Sequence, residues 1–347
     1  MPDKNNHKCS WLADQSGVAM VLFALCAAIL VGLVALSVDV GHIVLVRTEL
    51  QTGADACALA GARGFFPNST GTLAQINPDP VTAQSTANGW IGKNPADNQL
   101  LSSLSDVQTG VWNYTTGKME PWSWPIPLGT FKGPGITVTV KKQGDLNAGP
   151  IHHVLATVFG VSTSDAQAQA IAALSGVGST EPGQANFPGA ITEPNAEKAD
   201  VFSLFPNGSQ TGAWQSFFDK STDWKTLTDI LTKGTAPATN VGDPINTTNG
   251  VDARVFTAPT VGLLDIFAAH VASGKPWIVV MPVITASTNP GGQTLPIIGY
   301  AAFEVIDVKG PPDKIVTFKP VSGNLGGGAG GGGVNLGLWS LEPKLVQ

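Results

Sequence analysis

Two adjacent histidines are the residues of this chain with the most obvious capacity for metal chemistry. On a helix, His152 and His153 would point about 100° apart, so one ion bound by both would need ligands from elsewhere in the chain. The chain contains neither a His-Glu-x-x-His pair nor a Cys-x-x-Cys pair, which are the spacings typical of zinc sites. We therefore predict no metal site and no cofactor, and we interpret the histidines as solvated or packed.

Catalytic motifs are also missing from the sequence. No Gly-x-Ser-x-Gly pentapeptide occurs, and Gly274-Lys275 leads into Pro276, not into the Ser or Thr of a nucleotide-binding loop. The nearly pure glycine run 326–333 lacks that continuation too, and we predict a flexible loop there. Two carboxylates that act as a catalytic pair need only be close in space, so the absence of a sequence motif does not exclude a hydrolase. We rank a hydrolase third, after two non-enzymatic functions. We predict no catalytic residues and no enzyme.

Nine tryptophans suggest a contact surface. Trp112, Trp122 and Trp124 cluster near a proline-rich stretch, and an exposed indole can stack on a sugar ring. Tryptophan in small β-rich domains also serves as a packing residue. Both interpretations stay open, and these three residues are the candidate contact surface.

The elements that must position these residues begin with an uncharged apolar run over residues 17–38. As a helix it would be about 33 Å long, enough to cross a hydrocarbon core of about 30 Å. It exceeds the apolar core of a cleaved signal peptide, which is about 7–15 residues long. Lys4 and Lys8 precede it and most of the chain follows it, which favours an inside N-terminus. We predict a retained single-pass anchor after a cytoplasmic tail, residues 1–16.

Composition bounds the remainder of the chain. With 41 Gly, 25 Pro, 13% charged residues and a net charge of −6, it fits a turn-rich exported module and offers no basic patch for nucleic acid. Cys9, Cys26 and Cys57 do not make a disulfide framework. We interpret Cys57 as a small apolar helix residue, with pairing between chains as the alternative.

The predicted helix continues beyond the membrane. Apolar and small residues keep a spacing of three and four until Gly64 and Pro67, which predicts an extension over 39–64. Small residues recur at every fourth position in two places: an inner row of Ala24, Ala28 and Gly32, and an outer row of Gly53, Cys57 and Gly61. Such spacing lets another helix or a sheet approach closely. We predict that both rows form a helix-packing interface.

The rest of the chain predicts an α+β fold: a β-rich segment over 65–175 and an α+β segment over 176–347. Residues 65–104 suggest a small irregular helical or loop region. Patterning predicts strands over 107–114, 136–142, 277–285, 297–308 and 315–318, and helices over 151–159, 214–232 and 259–272. Residues 165–174 are in conflict, because Ala and Gln favour helix while their alternation favours strand.

The long helix resembles the N-terminal region of TadG-like proteins of the tight-adherence (Flp) pilus assembly system. The resemblance is carried by Val38-Asp39-Val40-Gly41, Arg47-Thr48-Glu49-Leu50-Gln51 and Ala54-Asp55-Ala56-Cys57-Ala58-Leu59-Ala60, where Cys57 replaces an alanine. Further similarity covers 110–113, 136–140, 158–174 and the late runs MPVIT and IIGYAAFEVIDV. The resemblance implies that Asp39, Gly41, Arg47, Leu50, Gln51, Asp55, Ala58, Leu59 and Ala60 are the signature positions, and that 165–174 is a strand.

What the resemblance implies is a non-enzymatic accessory component of pilus assembly or anchoring in the bacterial inner membrane, with its large C-terminal part in the periplasm. Expected partners are the lipid bilayer, other pilus-assembly membrane proteins or pilus subunits, and a second copy through the anchor helix. Prepilin cleavage needs a glutamate five residues after a glycine, and after Gly17 that residue is Leu22, so we predict no cleavage. The alternative is a membrane-tethered, adhesin-like binding module that contacts glycan.

Overall fold

The computed structural model describes residues 16–67, 77–198, 200–207, 211–219, 223–326 and 330–346. The predicted α+β class is confirmed. Within these ranges the α-helices are α1 (Ser16–Arg63), α2 (Pro80–Ile91), α3 (Glu193–Ala196), α4 (Trp224–Lys233) and α5 (Leu263–Ser273). Two 3₁₀ turns cover Ala156–Phe159 and Ala253–Val255. The predicted tail lies outside the described residues except for Ser16.

The strands fall into an earlier and a later group. The earlier strands are β1 (Pro95–Ala96), β2 (Gln99–Leu100), β3 (Asp106–Asn113), β4 (Lys118–Pro121), β5 (Lys132–Lys142), β6 (Ile151–His152), β7 (Thr163–Ser164), β8 (Ala166–Ala173), β9 (Gly176–Val177), β10 (Ser179–Thr180) and β11 (Gly189–Thr192). The later strands are β12 (Phe202–Leu204), β13 (Gly212–Gln215), β14 (Thr239–Asn240), β15 (Pro244–Thr248), β16 (Trp277–Ile284), β17 (Thr294–Lys309), β18 (Ile315–Val321), β19 (Gly323–Leu325), β20 (Gly330–Gly333), β21 (Leu338–Ser340) and β22 (Lys344–Leu345).

Helix α1 is one unbroken element of 48 residues. It contains an 18-residue window with a mean hydropathy of 2.9 that is almost entirely unburied, as a helix that fits a single-pass membrane anchor should be. The backbone N–H of Gly64 closes the helix on the carbonyls of Ala60 and Gly61, at 3.0 and 2.9 Å. The apolar part and its polar continuation therefore form one rod.

The C-terminal part of α1 packs on an antiparallel sheet of order β22-β8-β5-β3-β4, with α2 beside it. In β8, Ala166, Ala168 and Ala170 are buried while Gln167 and Gln169 are exposed. Residues 165–174, which are ambiguous by sequence, therefore contain a strand with one alanine face. That face lies under α1, and its small side chains permit a close approach of the helix. The core of this layer joins α1 to apolar residues of β5, Ile136, Val138 and Val140.

A second sheet occupies the later half of the chain, in the order β12-β18-β17-β15-β13-β11-β16. Strand β16 also pairs with β17, so β17, β15, β13, β11 and β16 form a closed ring. Helix α5 packs on β17. A small sheet of order β19-β21-β9-β20 follows, and β22 then pairs with β8, which returns the end of the chain to the first sheet.

Three predicted elements differ from the structure. Residues 151–159 form β6 and a 3₁₀ turn, not an α-helix, because the N–H groups of Val154 and Leu155 donate to a distant carboxylate. Only the end of 214–232 is helical, since Asp223 caps α4 by accepting from the Lys225 N–H at 2.6 Å. In the glycine run, Gly330–Gly333 is a strand paired with β9, and 327–329 lie outside the described residues.

Candidate functional site

The outer row of small residues lies at the contact between α1 and its own domain. A Cβ atom on Gly61 would lie 2.7 Å from the Ile136 Cδ1 atom and 2.9 Å from the Ala87 Cβ atom. A Cβ atom on Gly53 would lie 2.9 Å from the Leu101 Cδ1 atom. The close neighbours of the outer row are therefore β5, α2 and the β2 hairpin of the same chain.

Cys57 lies between these two glycines and is fully buried. Burial raises the pKa of its thiol to about 11, because the thiolate would lose its hydration. A buried thiol that stays protonated is a packing residue.

The inner row lies on the unburied part of α1. Ala24 and Ala28 are exposed and Gly32 is half-buried. A Cβ atom on Gly32 would meet no heavy atom within 4 Å. Unlike the outer row, the inner row leaves room for a neighbour from outside the domain.

Asp39 stands where the apolar part of α1 ends, and it is buried. Its Oδ1 atom accepts from the Val154 N–H at 2.9 Å. Its Oδ2 atom accepts from the N–H groups of Leu155 at 3.1 Å and Ala156 at 2.5 Å. One carboxylate thus satisfies three successive backbone donors at the start of the 3₁₀ turn.

The electrostatics of this contact favour the charged carboxylate. Burial alone would raise the pKa of Asp39, but the three backbone donors and the nearby His153 outweigh it, and the pKa is lowered. Backbone N–H groups aimed at a carboxylate stabilise its ionised form. Asp39 therefore holds the β6–β7 loop as an anion.

The other signature residues divide by the face of α1 that they occupy. Leu50 and Ala58 are fully buried, and Leu59 packs against the same core. Gln51 donates through Nε2 to the Asp55 Oδ1 atom at 2.7 Å and to the Gln169 carbonyl of β8 at 3.1 Å. Most of the signature thus holds the helix on the sheet. Ala60 is half-buried, and Gly41 and Arg47 are exposed.

A polar network that the sequence analysis missed lies near Asp39. The Asp97 carboxylate lies 2.9 Å from the His42 Nε2 atom and 3.3 Å from the buried Lys142 Nζ atom. The Asp97 N–H donates to the Glu49 Oε2 atom at 2.7 Å. Lys142 also donates to the Asn147 carbonyl at 3.1 Å. The network ties α1 to the ends of β1 and β5.

A local signal for part of this network was present in the sequence. Asp97 and Asn98 both have a positive φ, at 57° and 59°, and Asp-Asn pairs suit such two-residue hairpin turns. The contact of this turn with His42 spans 55 residues, so no local pattern predicts it.

The three tryptophans do not share one surface. Trp112 is buried against Ile171 and Ala173 in a separate cluster. Trp122 stacks on Phe65 with ring centroids 5.4 Å apart, and Trp124 lies 6.3 Å from Trp339. Of the three tryptophans, Trp122 and Trp124 are half-buried and could still contribute to a sugar platform, whereas Trp112 could not.

The histidine pair splits between solvent and interior. His152 is exposed, and His153 is buried with its Nε2 atom 2.8 Å from the Ser164 Oγ atom. Among the residues that the structure describes, no group of three His, Cys, Asp or Glu side chains is placed to hold a metal ion.

Fold and site together define an α+β protein in which a long apolar helix and the sheet beneath it are one packed unit. Residues 17–64 match the family of putative Flp pilus-assembly TadE/G-like proteins, and residues 60–172 match the family of putative Tad-like Flp pilus-assembly proteins. The matched range runs from the start of α1 into the last residues of β8. Over these residues the chain is similar to TadG-like proteins, and the two matches support a role in Flp pilus assembly. No curated protein and no solved structure matches it significantly.

Proposed function

We propose that this chain is a non-enzymatic, single-pass accessory component that assembles or anchors the Flp pilus from the bacterial inner membrane. Its N-terminus lies in the cytoplasm and its large C-terminal part in the periplasm. The observation that carries the proposal is that the range of the family matches agrees with the range of one packed structural unit. The family matches cover 17–172, and the same residues form the apolar helix, its polar continuation and most of the sheet beneath it.

This arrangement supports a mechanical coupling across the membrane surface. Helix α1 continues without a break from the apolar part into the domain, and buried contacts hold its C-terminal part on β8 and β5. A partner that binds either end therefore moves the whole unit. The proposed partners are membrane helices at the inner row and pilus subunits or other assembly proteins at the domain.

The test of the general function is complementation in a host strain that lacks this chain. The wild-type chain should restore Flp pili, whereas a chain without residues 17–38 should accumulate without restoring them. A third version, with the apolar part replaced by an unrelated spanning helix, separates plain tethering from specific docking. Normal piliation without the chain would contradict the proposal.

The inner row allows a cleaner test of docking than the outer row does. Because Gly32 has open space around it, Gly32→Leu should leave the fold intact. We expect at least about tenfold less co-purification with pilus-assembly membrane proteins, since close helix packing requires small residues. Ala19→Leu is the matched control, because Ala19 lies about 180° around the helix from Ala28. Equal co-purification of both variants with wild type would remove the inner row from the interface.

A further inference from the structure

The loop that Asp39 holds has an unusual surface for an exported domain. It connects β6 to β7, and the 3₁₀ turn Ala156–Phe159 lies within it. Val154, Val158 and Val161 are exposed by 66%, 80% and 50%. The segment 151–164 contains no Asp, Glu, Lys or Arg. Exposed apolar side chains without neighbouring charges mark a surface that another apolar phase covers.

The position of the loop along α1 indicates which phase that is. Ala156 lines a cavity of about 310 Å³ together with Gly32, Leu33 and Leu36. Gly32 precedes Asp39 by seven helical positions, which corresponds to roughly 10 Å along the axis. The loop therefore reaches beside the apolar part of the rod.

At the height of the loop, α1 itself also exposes apolar side chains. Leu33 and Leu36 are exposed by 56% and 60%, as is usual for residues that contact acyl chains. Ala156, which lines the cavity beside Leu33 and Leu36, lies between Val154 and Val158 in the loop. Interfacial segments of membrane proteins bury such side chains about 5–10 Å deep at the headgroup boundary.

We propose that the 153–162 loop is a second membrane contact, which inserts Val154, Val158 and Val161 into the acyl chains of the leaflet next to the domain. Asp39 is the positioning residue that fixes the loop at this depth. The loop and α1 then contact the membrane side by side, and together they set the tilt of the domain on the membrane. The inference rests on α1 crossing a bilayer, which is part of the proposed function.

The test uses the full chain in phosphatidylcholine vesicles with one polarity-sensitive fluorophore per variant. Val158→Cys is labelled in a Cys9→Ser, Cys26→Ser background, in which Cys57 stays buried. Thr116→Cys in that background is the matched control, because it lies in the exposed β3–β4 turn at the opposite end of the sheet. Cys26 alone, in a Cys9→Ser chain, reports on the spanning helix.

We expect nitroxide lipids to quench the label at 158 at least half as strongly as the label at Cys26, and aqueous iodide to quench only the label at 116. A label at 158 that behaves like the one at 116, while Cys26 is quenched by lipid, would overturn the inference and leave the anchor intact. Shielding of 158 only after pilus proteins are added would overturn it as well. Loss of lipid quenching at Cys26 would overturn both the inference and the anchor.

Discussion

At the residue scale, Asp39 connects the rod to a loop more than a hundred positions away in sequence. Its carboxylate accepts from three successive backbone N–H groups. A buried carboxylate at the edge of an apolar phase would destabilise the fold if no hydrogen-bond donors replaced its lost hydration. Asp39, which the resemblance marks as a signature position, therefore fixes where the β6–β7 loop meets α1.

Asp39→Ala should release this loop without unfolding the domain. The N–H groups of Val154, Leu155 and Ala156 lose their acceptor, so we expect their hydrogen exchange to accelerate at least about tenfold. Exchange in β5 and β8 should stay unchanged. Asp39→Asn keeps one carbonyl acceptor and should give an intermediate rate. Unchanged exchange at all three positions would show that the carboxylate does not hold the loop.

Asp97 makes the second contact near this level sensitive to acid. Burial would raise its pKa, but hydrogen bonds and charge from His42 and Lys142 outweigh burial and lower it. A carboxyl whose pKa is lowered by folding stabilises the fold fully above its ordinary pKa of about 3.9, and loses that effect as pH falls through the lowered value.

The prediction compares the wild type with Asp97→Asn between about pH 5 and pH 3, where unpaired aspartates titrate. At about pH 5 the wild type should have a higher melting temperature than Asp97→Asn. The difference should shrink as pH falls below about 3.9, because Asp97 of the unfolded chain then binds a proton, which the folded chain with its lowered pKa binds only at still lower pH. A difference that stays constant over this range would show that the carboxylate charge has no role in the network.

At the element scale, the two rows of small residues on α1 lie in different surroundings. The outer row is in contact with β5, α2 and Leu101, so its glycines let the helix lie close to its own sheet. A loss of partner binding in Gly53→Leu or Gly61→Leu would be hard to interpret, since both changes would first damage the packing of the domain. The inner row remains the place to test intermolecular packing.

Two glycines of the same helix should respond oppositely to alanine. At Gly61 the new Cβ atom meets the Ala87 Cβ atom at 2.9 Å and the Ala83 carbonyl oxygen at 3.1 Å, an overpacking that typically costs about 1–3 kcal/mol. At Gly41 it meets nothing within 4 Å, and helix propensity contributes about 1 kcal/mol. Gly61→Ala should lower the melting temperature of the full chain, whereas Gly41→Ala should maintain or raise it. Equal shifts in one direction would contradict the packing described for the outer row.

At the scale of the whole molecule, the end of the chain completes the unit with which it begins. Trp339 and Leu341 lie in the core under α1, and β22 pairs with Ala172 and Ala173 of β8. The two predicted segments, 65–175 and 176–347, are therefore joined by more than their covalent link. The packed unit of α1 and the first sheet therefore includes residues far beyond the family match.

Trp339→Ala tests this dependence. The side chain is 1% exposed, and removing a buried tryptophan costs about 3–5 kcal/mol. We expect hydrogen exchange to accelerate in β8 and in the C-terminal part of α1. Val201→Ala, at a position 56% exposed, is the control and should change stability by less than about 0.5 kcal/mol. Faster exchange confined to β19 and β21 would show that the first unit does not need the end of the chain.

The amino-acid sequence by itself determined the features that depend on local order. The rod follows from uninterrupted apolar residues and from three-and-four spacing, and β5 follows from the alternation of ITVTV at 136–140. The family resemblance rests on the same contiguous residues. It correctly predicted a strand over 165–174, which propensity alone left open.

Only the tertiary structure decided which surfaces meet. Spacing shows that the outer row can be packed closely, but not whether the neighbour is this chain or another, because both require the same small residues. The contacts of Asp39 with Val154 and of His42 with Asp97 span 115 and 55 residues, beyond the reach of any local pattern. The predicted helix over 151–159 was wrong for that reason: a distant carboxylate took the donors that a helix would have needed.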